Sequence, residues 1–147
     1  MTGKILVIEA RYYNHINDML LQGAKNVLDG ANVSYDIATV PGALEIPAAL
    51  NFSLGSGLYD AYVVLGCIIR GETTHYDVVQ NESARGVYNL VLAHDLALGN
   101  SILTVENEAQ AIARAHPKNK NKGGEAAKAA LAMLALKQRF KCGHPGR

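Results

Sequence analysis

The hydrophobic positions of this chain fall into short unbroken runs that alternate with stretches of helical spacing. Ile5-Leu6-Val7-Ile8 is a continuous apolar run, the pattern of a strand buried on both faces. From Asn14 the period changes. Ile16, Met19, Leu20, Gly23, Ala24 and Val27 recur every three or four residues, which predicts an amphipathic helix with Asn14 as N-cap and Gly30 as stop. Val33 to Val40 predicts a second strand, with Val33, Tyr35, Ile37 and Thr39 on one face and Pro41-Gly42 ending it. Glu45 to Leu54 predicts a short helix that tolerates Pro47 in its first turn. After Gly55-Ser56-Gly57, Ala61 to Leu65 predicts a third strand reaching toward Cys67. A loop over Gly66 to Thr74 is expected to lead into a long helix that carries Val78, Val79, Glu82, Val87, Tyr88, Val91 and Leu92. Ile102 to Val105 predicts a fourth strand, and Glu106 to Ala115 a helix with Ala109, Ile112 and Ala113 inward. Pro117 and the Lys/Asn run after it predict a turn. Glu125 to Lys141 predicts a final alanine-rich helix, with Lys137, Arg139 and Lys141 suited to its C-terminal end.

Strands alternating with helices predict an α/β fold whose parallel sheet is covered on both faces. No repeat or linker interrupts the pattern, so one domain over residues 1–147 is expected. With 49% hydrophobic and 18% charged residues, a disordered chain is excluded. A net charge of +1 supplies no broad field to draw nucleic acid or an anionic membrane. No apolar run approaches the ~20 residues of a membrane span. Met1-Thr2-Gly3-Lys4 leads directly into the first strand, without the apolar core of a secretory leader. Cys67 and Cys142 form neither a metal spacing nor a disulfide framework. A cytoplasmic protein acting on small molecules is the expectation, with no metal, nucleic-acid or membrane partner.

In such sheets ligands bind beyond the carboxyl ends of the strands. The loops beginning at Arg11, Val40, Gly66 and Glu106 are therefore the places to look. Tyr12 and Tyr13 can present a flat face to a heterocycle, or simply pack on the neighbouring helix. Pro41 and Pro47 stiffen a turn around Gly42, and Glu45 falls in a first helical turn, where the helix dipole favours a carboxylate. Gly66 to Asp77 is the richest stretch. A glycine followed by a helix start would leave backbone N–H groups at Glu72 and Thr73 free for an anion, phosphate above all. His75, in the first turn, can exchange a proton near neutral pH. The plainer reading makes His75 a surface histidine and Thr73 or Thr74 an ordinary cap. If the fourth strand neighbours the third, the next helix can bring Arg114 to the same anion, although a lone arginine is more commonly solvated. His15, His94, His116 and His144 show no metal spacing, and Lys118, Lys120 and Lys122 read as a solvated turn.

Together these segments resemble the lumazine synthase family. The resemblance rests on Val40-Pro41-Gly42-Ala43-Leu44-Glu45-Ile46-Pro47 and on Gly66-Cys67-Ile68-Ile69-Arg70-Gly71-Glu72-Thr73-Thr74-His75-Tyr76-Asp77. Leu103-Thr104-Val105-Glu106-Asn107, Gln110-Ala111 with Arg114, and Asn121-Lys122-Gly123 reinforce it, in family order, over about residues 4 to 140. The resemblance implies a flavodoxin-like three-layer α/β/α sandwich with a four-stranded parallel sheet. It implies a cofactor-free condensation of 5-amino-6-(D-ribitylamino)uracil with 3,4-dihydroxy-2-butanone 4-phosphate. The product would be 6,7-dimethyl-8-ribityllumazine, the precursor of riboflavin. It further implies a homopentamer with active sites between adjacent subunits, the first three loops coming from one chain and Asn100, Arg114 and the lysine turn from the next, so that the convergence of Arg114 on the anion becomes one across an interface.

Carried over residue by residue, Tyr12 matches the aromatic that stacks on the pyrimidine. Ala43, Leu44 and Glu45 match the segment binding the pyrimidine and ribityl chain. Cys67, Ile68 and Ile69 match the backbone that reads the pyrimidine edge, and Glu72 and Thr73 match the phosphate-binding helix start. Arg114 matches the phosphate-pairing arginine, His75 the general acid/base, and Lys122 with Glu125 a charged pair near the site. Asn100 stands where many members carry a phenylalanine packed on the pyrimidine, and Tyr13 replaces a more usual small polar residue. The short N-terminal arm, and Pro117 with Lys120, lead to the expectation of a lone pentamer rather than a shell. A rival within the same fold is a catalytically weak lumazine- or flavin-binding module. Intact His75 and Arg114 speak against it, since binding alone needs neither. A phosphoacceptor receiver would need acidic residues where the chain has Glu9-Ala10-Arg11 and Gly66-Cys67.

Overall fold

The computed structural model describes residues 3–71 and 73–141. Glu72, Cys142 and His144 lie outside the described residues. Ten segments of regular structure follow one another in the alternation the sequence predicts.

The first strand, β1, runs Lys4–Ala10 and is longer at both ends than its apolar run, because Lys4 pairs with Ser34 and Ala10 with Val40. The first helix, α1, spans Asn14–Gly30. Asn14 is its first helical residue rather than its cap. Tyr13 takes the cap position without a side-chain hydrogen bond, and its carbonyl accepts from Asn17 N–H at 3.0 Å. Strand β2, Ser34–Val40, lies at the sheet edge, so its predicted two-sided alternation is blurred and Ile37 stays 42% exposed. A 3-10 turn at Ala43–Glu45 precedes helix α2, Ile46–Leu54, so the predicted helix from Glu45 divides in two. Pro47 sits in the first turn of α2, where its missing N–H has no helical partner to lose.

Strand β3 extends over Ala61–Ile69, four residues beyond the predicted Leu65, and the loop after it shrinks to residues 70–74. Helix α3 follows at His75–His94. Of its predicted apolar positions only Val87 is buried, while Val78, Tyr88 and Leu92 are exposed. Strand β4 is Leu98–Val105 and begins well before Ile102. Gly99-Asn100-Ser101 hid this start, yet Gly99 is required there. A Cβ on it would fall 1.7 Å from the carbonyl oxygen of Ala126. Helix α4, Glu108–Ala115, is capped by Asn107, whose side chain accepts from Gln110 N–H at 2.9 Å. Its buried residues are Ala111 and Ala115; Ala109, predicted inward, is exposed. Helix α5, Lys122–Lys141, starts before the predicted Glu125 and carries Gly123 and Gly124 inside it.

The strands are all parallel, in the order β2-β1-β3-β4. Helices α1, α4 and α5 cover one face through Ile5, Val7, Val63, Leu65 and Leu103. Helices α2 and α3 cover the other through Leu6, Ile8, Tyr62, Val64 and Ile68. This is a three-layer α/β/α sandwich of the flavodoxin-like kind. Each fully buried Ile, Leu or Val contributes about 1.5–3 kcal/mol, so the two apolar layers dominate the stability. No helix among the described residues is long and apolar enough to cross a membrane.

The candidate active site

All four strands point their carboxyl ends the same way, so the loops after them converge at one end of the sheet. A cleft of about 350 Å³ opens there. Its walls are Tyr12 and Tyr13, the Pro41–Glu45 turn, Cys67–Ile69, and Gly71, Thr73, His75, Tyr76 and Val79.

The floor follows from strand lengths. The ladder between β1 and β3 ends at Glu9 with Leu65, whereas β3 continues beside β4 to Ile69. Gly66 still lies against Ala10, and beyond it the edge of Cys67–Ile69 that would face β1 has no paired strand. Its backbone groups are available to a ligand edge, which a side chain could not offer in the same fixed geometry. Cys67 and Ile68 are buried at 6% exposure each, and burial pushes the Cys67 thiol up to about 12. Cys67 thus lines the cleft as a neutral thiol.

One side wall is Tyr12, 71% exposed, in edge-to-face contact with Tyr13 at 4.9 Å between ring centres. Burial raises the Tyr13 hydroxyl above its usual range, with Tyr12 and Cys67 adding to the effect. Opposite, Ala43 is buried while Leu44 and Glu45 reach solvent. Glu45 N–H donates to the Gly42 carbonyl at 3.1 Å, which closes the turn.

The far wall is the start of α3. Thr73 is exposed, its Oγ1 accepts the His75 N–H at 3.2 Å, and His75 is the first helical residue. The loop before it is held down at Arg70. That guanidinium donates to Glu106 Oε2 at 2.8 Å and lies 4.4 Å over the Tyr76 ring. Nothing lies within 4 Å of a Cβ placed on Gly71, so the approach to the helix start is open. An aromatic wall, an exposed backbone edge, a helix N-terminus and an imidazole thus face one space. That combination can hold a planar heterocycle beside an anionic group and move a proton between them.

Of the sequence-predicted residues, Tyr12, Ala43, Leu44, Glu45, Cys67, Ile68, Ile69, Thr73 and His75 all line this cleft. Arg114 does not, although β4 does neighbour β3. The expectation that one chain brings it to the anion is corrected by layering. Helix α4 packs with α1 and α5, on the face opposite α3, and Arg114 Nη1 donates to the Gln110 carbonyl at 3.2 Å. Asn100 also stands apart, on the far edge strand. Its Nδ2 donates to Tyr88 Oη at 3.2 Å and its Oδ1 accepts from Ile102 N–H at 2.8 Å. Lys122 and Glu125 form an ion pair of 3.1 Å in the first turn of α5, away from the cleft.

The sequence reading overlooked Pro41, Gly71, Tyr76 and Val79 as cleft walls. It also overlooked the carboxylate under the Tyr12 turn, Glu9, which is only 3% exposed. The signal was present, since Glu9 is the one charged residue between Ile5 and Ala10 in an otherwise apolar strand. Its partner Arg11 is held in its charged form. Burial opposes the charge, but hydrogen bonds to Glu9 and Asp18 outweigh that and raise it.

Comparison with known proteins agrees with this geometry. A family model described as 6,7-dimethyl-8-ribityllumazine synthase matches residues 2–138. The chain is 60% identical over 139 residues to a protein of that name from Sphingopyxis alaskensis, covering 95% of this chain and 98% of the other. Proteins of the same name from Zymomonas mobilis and Novosphingobium aromaticivorans are each 57% identical over 138 residues, covering 94% of this chain and 99% of theirs. The chain belongs to the 6,7-dimethyl-8-ribityllumazine synthase family.

Proposed function

We propose that this chain condenses 5-amino-6-(D-ribitylamino)uracil with 3,4-dihydroxy-2-butanone 4-phosphate to 6,7-dimethyl-8-ribityllumazine, in riboflavin biosynthesis. The observation that carries the reading is the single cleft in which Tyr12, the Cys67–Ile69 edge, Thr73 and His75 meet, in a chain of this family. Tyr12 stacks on the pyrimidine, and the backbone of Cys67–Ile69 bonds its edge. Ala43, Leu44 and Glu45 receive the pyrimidine and ribityl chain. The phosphate sits at the start of α3, at Thr73.

The chemistry matches these groups. The 5-amino nitrogen adds to the ketone carbonyl and water leaves, giving an imine. Loss of a proton next to the imine expels inorganic phosphate. The enol left behind takes up a proton at its terminal carbon and gives up its hydroxyl proton, becoming a ketone; the ribitylamino nitrogen then closes the ring on that new carbonyl, and a second water leaves. His75 exchanges the protons, and the helix start steadies the departing phosphate. Holding two small molecules at bonding distance supplies ~7–11 kcal/mol in favourable cases.

Arg114, Asn100 and the Lys122–Glu125 pair act from an adjacent copy in a homopentamer whose active sites span subunits. Two observations support this. Arg114 and Asn100 lie off the cleft of their own chain. The α2–α3 face leaves Phe52 77% and Leu92 80% exposed, a large apolar area that a second copy would cover. The protein works in the cytoplasm. The rival reading, a binding module without turnover, is not favoured, since the relatives of this chain carry the synthase name. The test mixes purified protein with both substrates anaerobically and follows lumazine fluorescence. Product well above the uncatalysed background is expected, and background-level product would refute the reading. A native mass of five chains checks the assembly.

A further inference from the structure

We propose that Glu9, Arg11 and Thr39 form a positioning clamp that holds the Tyr12 wall and the Pro41–Glu45 wall of the cleft in one fixed relation. The inference rests on the reading of the cleft as the pyrimidine site. Tyr12 is 71% exposed, and its one aromatic contact among the described residues is the edge of Tyr13. Packing therefore does little to aim its ring. The direction is inherited from the backbone of the turn.

That turn is gripped on both sides by one guanidinium. Arg11 Nε and Nη2 lie 3.0 and 2.9 Å from Glu9 Oε1, before Tyr12 in the chain. Arg11 Nη1 donates to the Asn14 carbonyl at 3.1 Å and to Asp18 Oδ1 at 2.5 Å, after it. Arg11 N–H also donates to the Val40 carbonyl at 2.9 Å, at the end of β2. Glu9 completes the link. Its second oxygen, Oε2, accepts the Thr39 hydroxyl at 2.8 Å, two residues before Pro41. One buried carboxylate thus joins the residue preceding Tyr12 to the strand that launches the opposite wall.

Stability alone does not account for this arrangement. Glu9, at 3% exposure, loses hydration that an apolar side chain of equal volume would not, and its partner Arg11 keeps only part of its own. What the pair provides is direction, because a guanidinium fork bonds only in a fixed plane. Pre-orientation of the ring is what stacking on a planar substrate needs.

The test uses the full chain with Glu9→Gln, Thr39→Val and Arg11→Lys. Both substrates are varied in steady state, and native mass is recorded. The expected result is a KM for the ribitylaminouracil raised roughly three- to tenfold in Glu9→Gln. The KM for the phosphorylated ketone and the assembly should stay as they were. Arg11→Lys should move the same parameter, since a point charge cannot grip both sides of the turn. Thr39→Val, on the exposed edge strand, should give a smaller shift in the same direction and decides the matter if Glu9→Gln fails to fold. An assembled Glu9→Gln or Thr39→Val with unchanged pyrimidine KM, or with both KM values raised alike, would overturn the clamp. Failure of the wild type to form product would instead refute the proposed function. The clamp would then be read from the Kd of 6,7-dimethyl-8-ribityllumazine by fluorescence. A weaker Kd in Glu9→Gln is expected, and an equal Kd overturns it.

Discussion

His75 stands exposed at the first residue of α3, on the cleft wall, with its N–H given to Thr73 Oγ1. Among the described residues no hydrogen bond engages its ring, which leaves it to serve a bound substrate. His75→Ala should lower kcat about 10²-fold, the low end of what a positioned proton donor supplies, with native mass unchanged. Unaltered product formation in that variant would remove His75 from the mechanism. Cys67, on the floor, behaves oppositely. Burial raises its thiol from the ordinary 9.0 to about 12. As pH climbs past 9 the unfolded chain releases this proton while the folded chain keeps it. The folded state then binds more protons, so stability falls with rising pH between 9 and 12. Denaturant midpoints should decline between about pH 8 and about pH 10, and Cys67→Ala should flatten that decline relative to wild type. Equal slopes in the two proteins would show that other groups cause it.

Helix contacts set the frame that aims these side chains. Helices α1 and α5 touch backbone to backbone, and a Cβ on Gly123 would fall 2.0 Å from the Leu20 carbonyl oxygen. No rotamer can relieve a clash with backbone. Gly123→Ala should therefore force the helices apart and cost about 1–3 kcal/mol or more, seen as a lower midpoint in urea. At α4 the cap is made by a side chain, Asn107, accepting from Gln110 N–H. Asn107→Ala should cost about 1 kcal/mol of stability, and a midpoint equal to wild type would show the cap to be idle. Gly123 also accounts for a difference between sequence and structure. Glycine signals a turn in sequence, so the sequence places the start of α5 at Glu125, whereas Gly123 lies inside the helix because the Leu20 backbone of α1 passes too close for a side chain, and a Cβ on Gly124 would meet the Asn121 side chain.

Assembly is where the separation of Arg114 from the cleft becomes a measurable property. If adjacent subunits complete each site, His75→Ala and Arg114→Ala are defects in different halves of it. Each variant alone should be poor, with Arg114→Ala chiefly raising the KM for the phosphorylated ketone. Unfolded together and co-refolded, the two should recover activity, because some interfaces then join an intact His75 to an intact Arg114. No recovery in co-refolded material of native mass would place the whole site within one chain. Single-chain layering gives the physical motive, since α4 and α3 lie on opposite faces of the sheet.

Local chemistry announced much of this molecule. Ile5–Ile8 and Ala61–Leu65 are apolar without break, so they had to be central strands, and helical spacing from Ile16 onward had to fill the crossover. Parallel pairing then sends the loops that follow the strands to one end, which is why Tyr12, Glu45, Thr73 and His75, singled out from those loops, line one cleft. Long-range neighbours decided the rest. Strand β4 begins at Leu98 because β3 pairs with it there and Ala126 packs on Gly99, neither of which is encoded nearby. The floor of the cleft exists because β3 outruns β1, a difference between two strands far apart in the chain. Glu9 found Thr39 across thirty residues, and Arg114 was carried to the opposite layer from His75. Periodicity reports the face a residue turns to its own element. Which groups meet depends on how those elements pack.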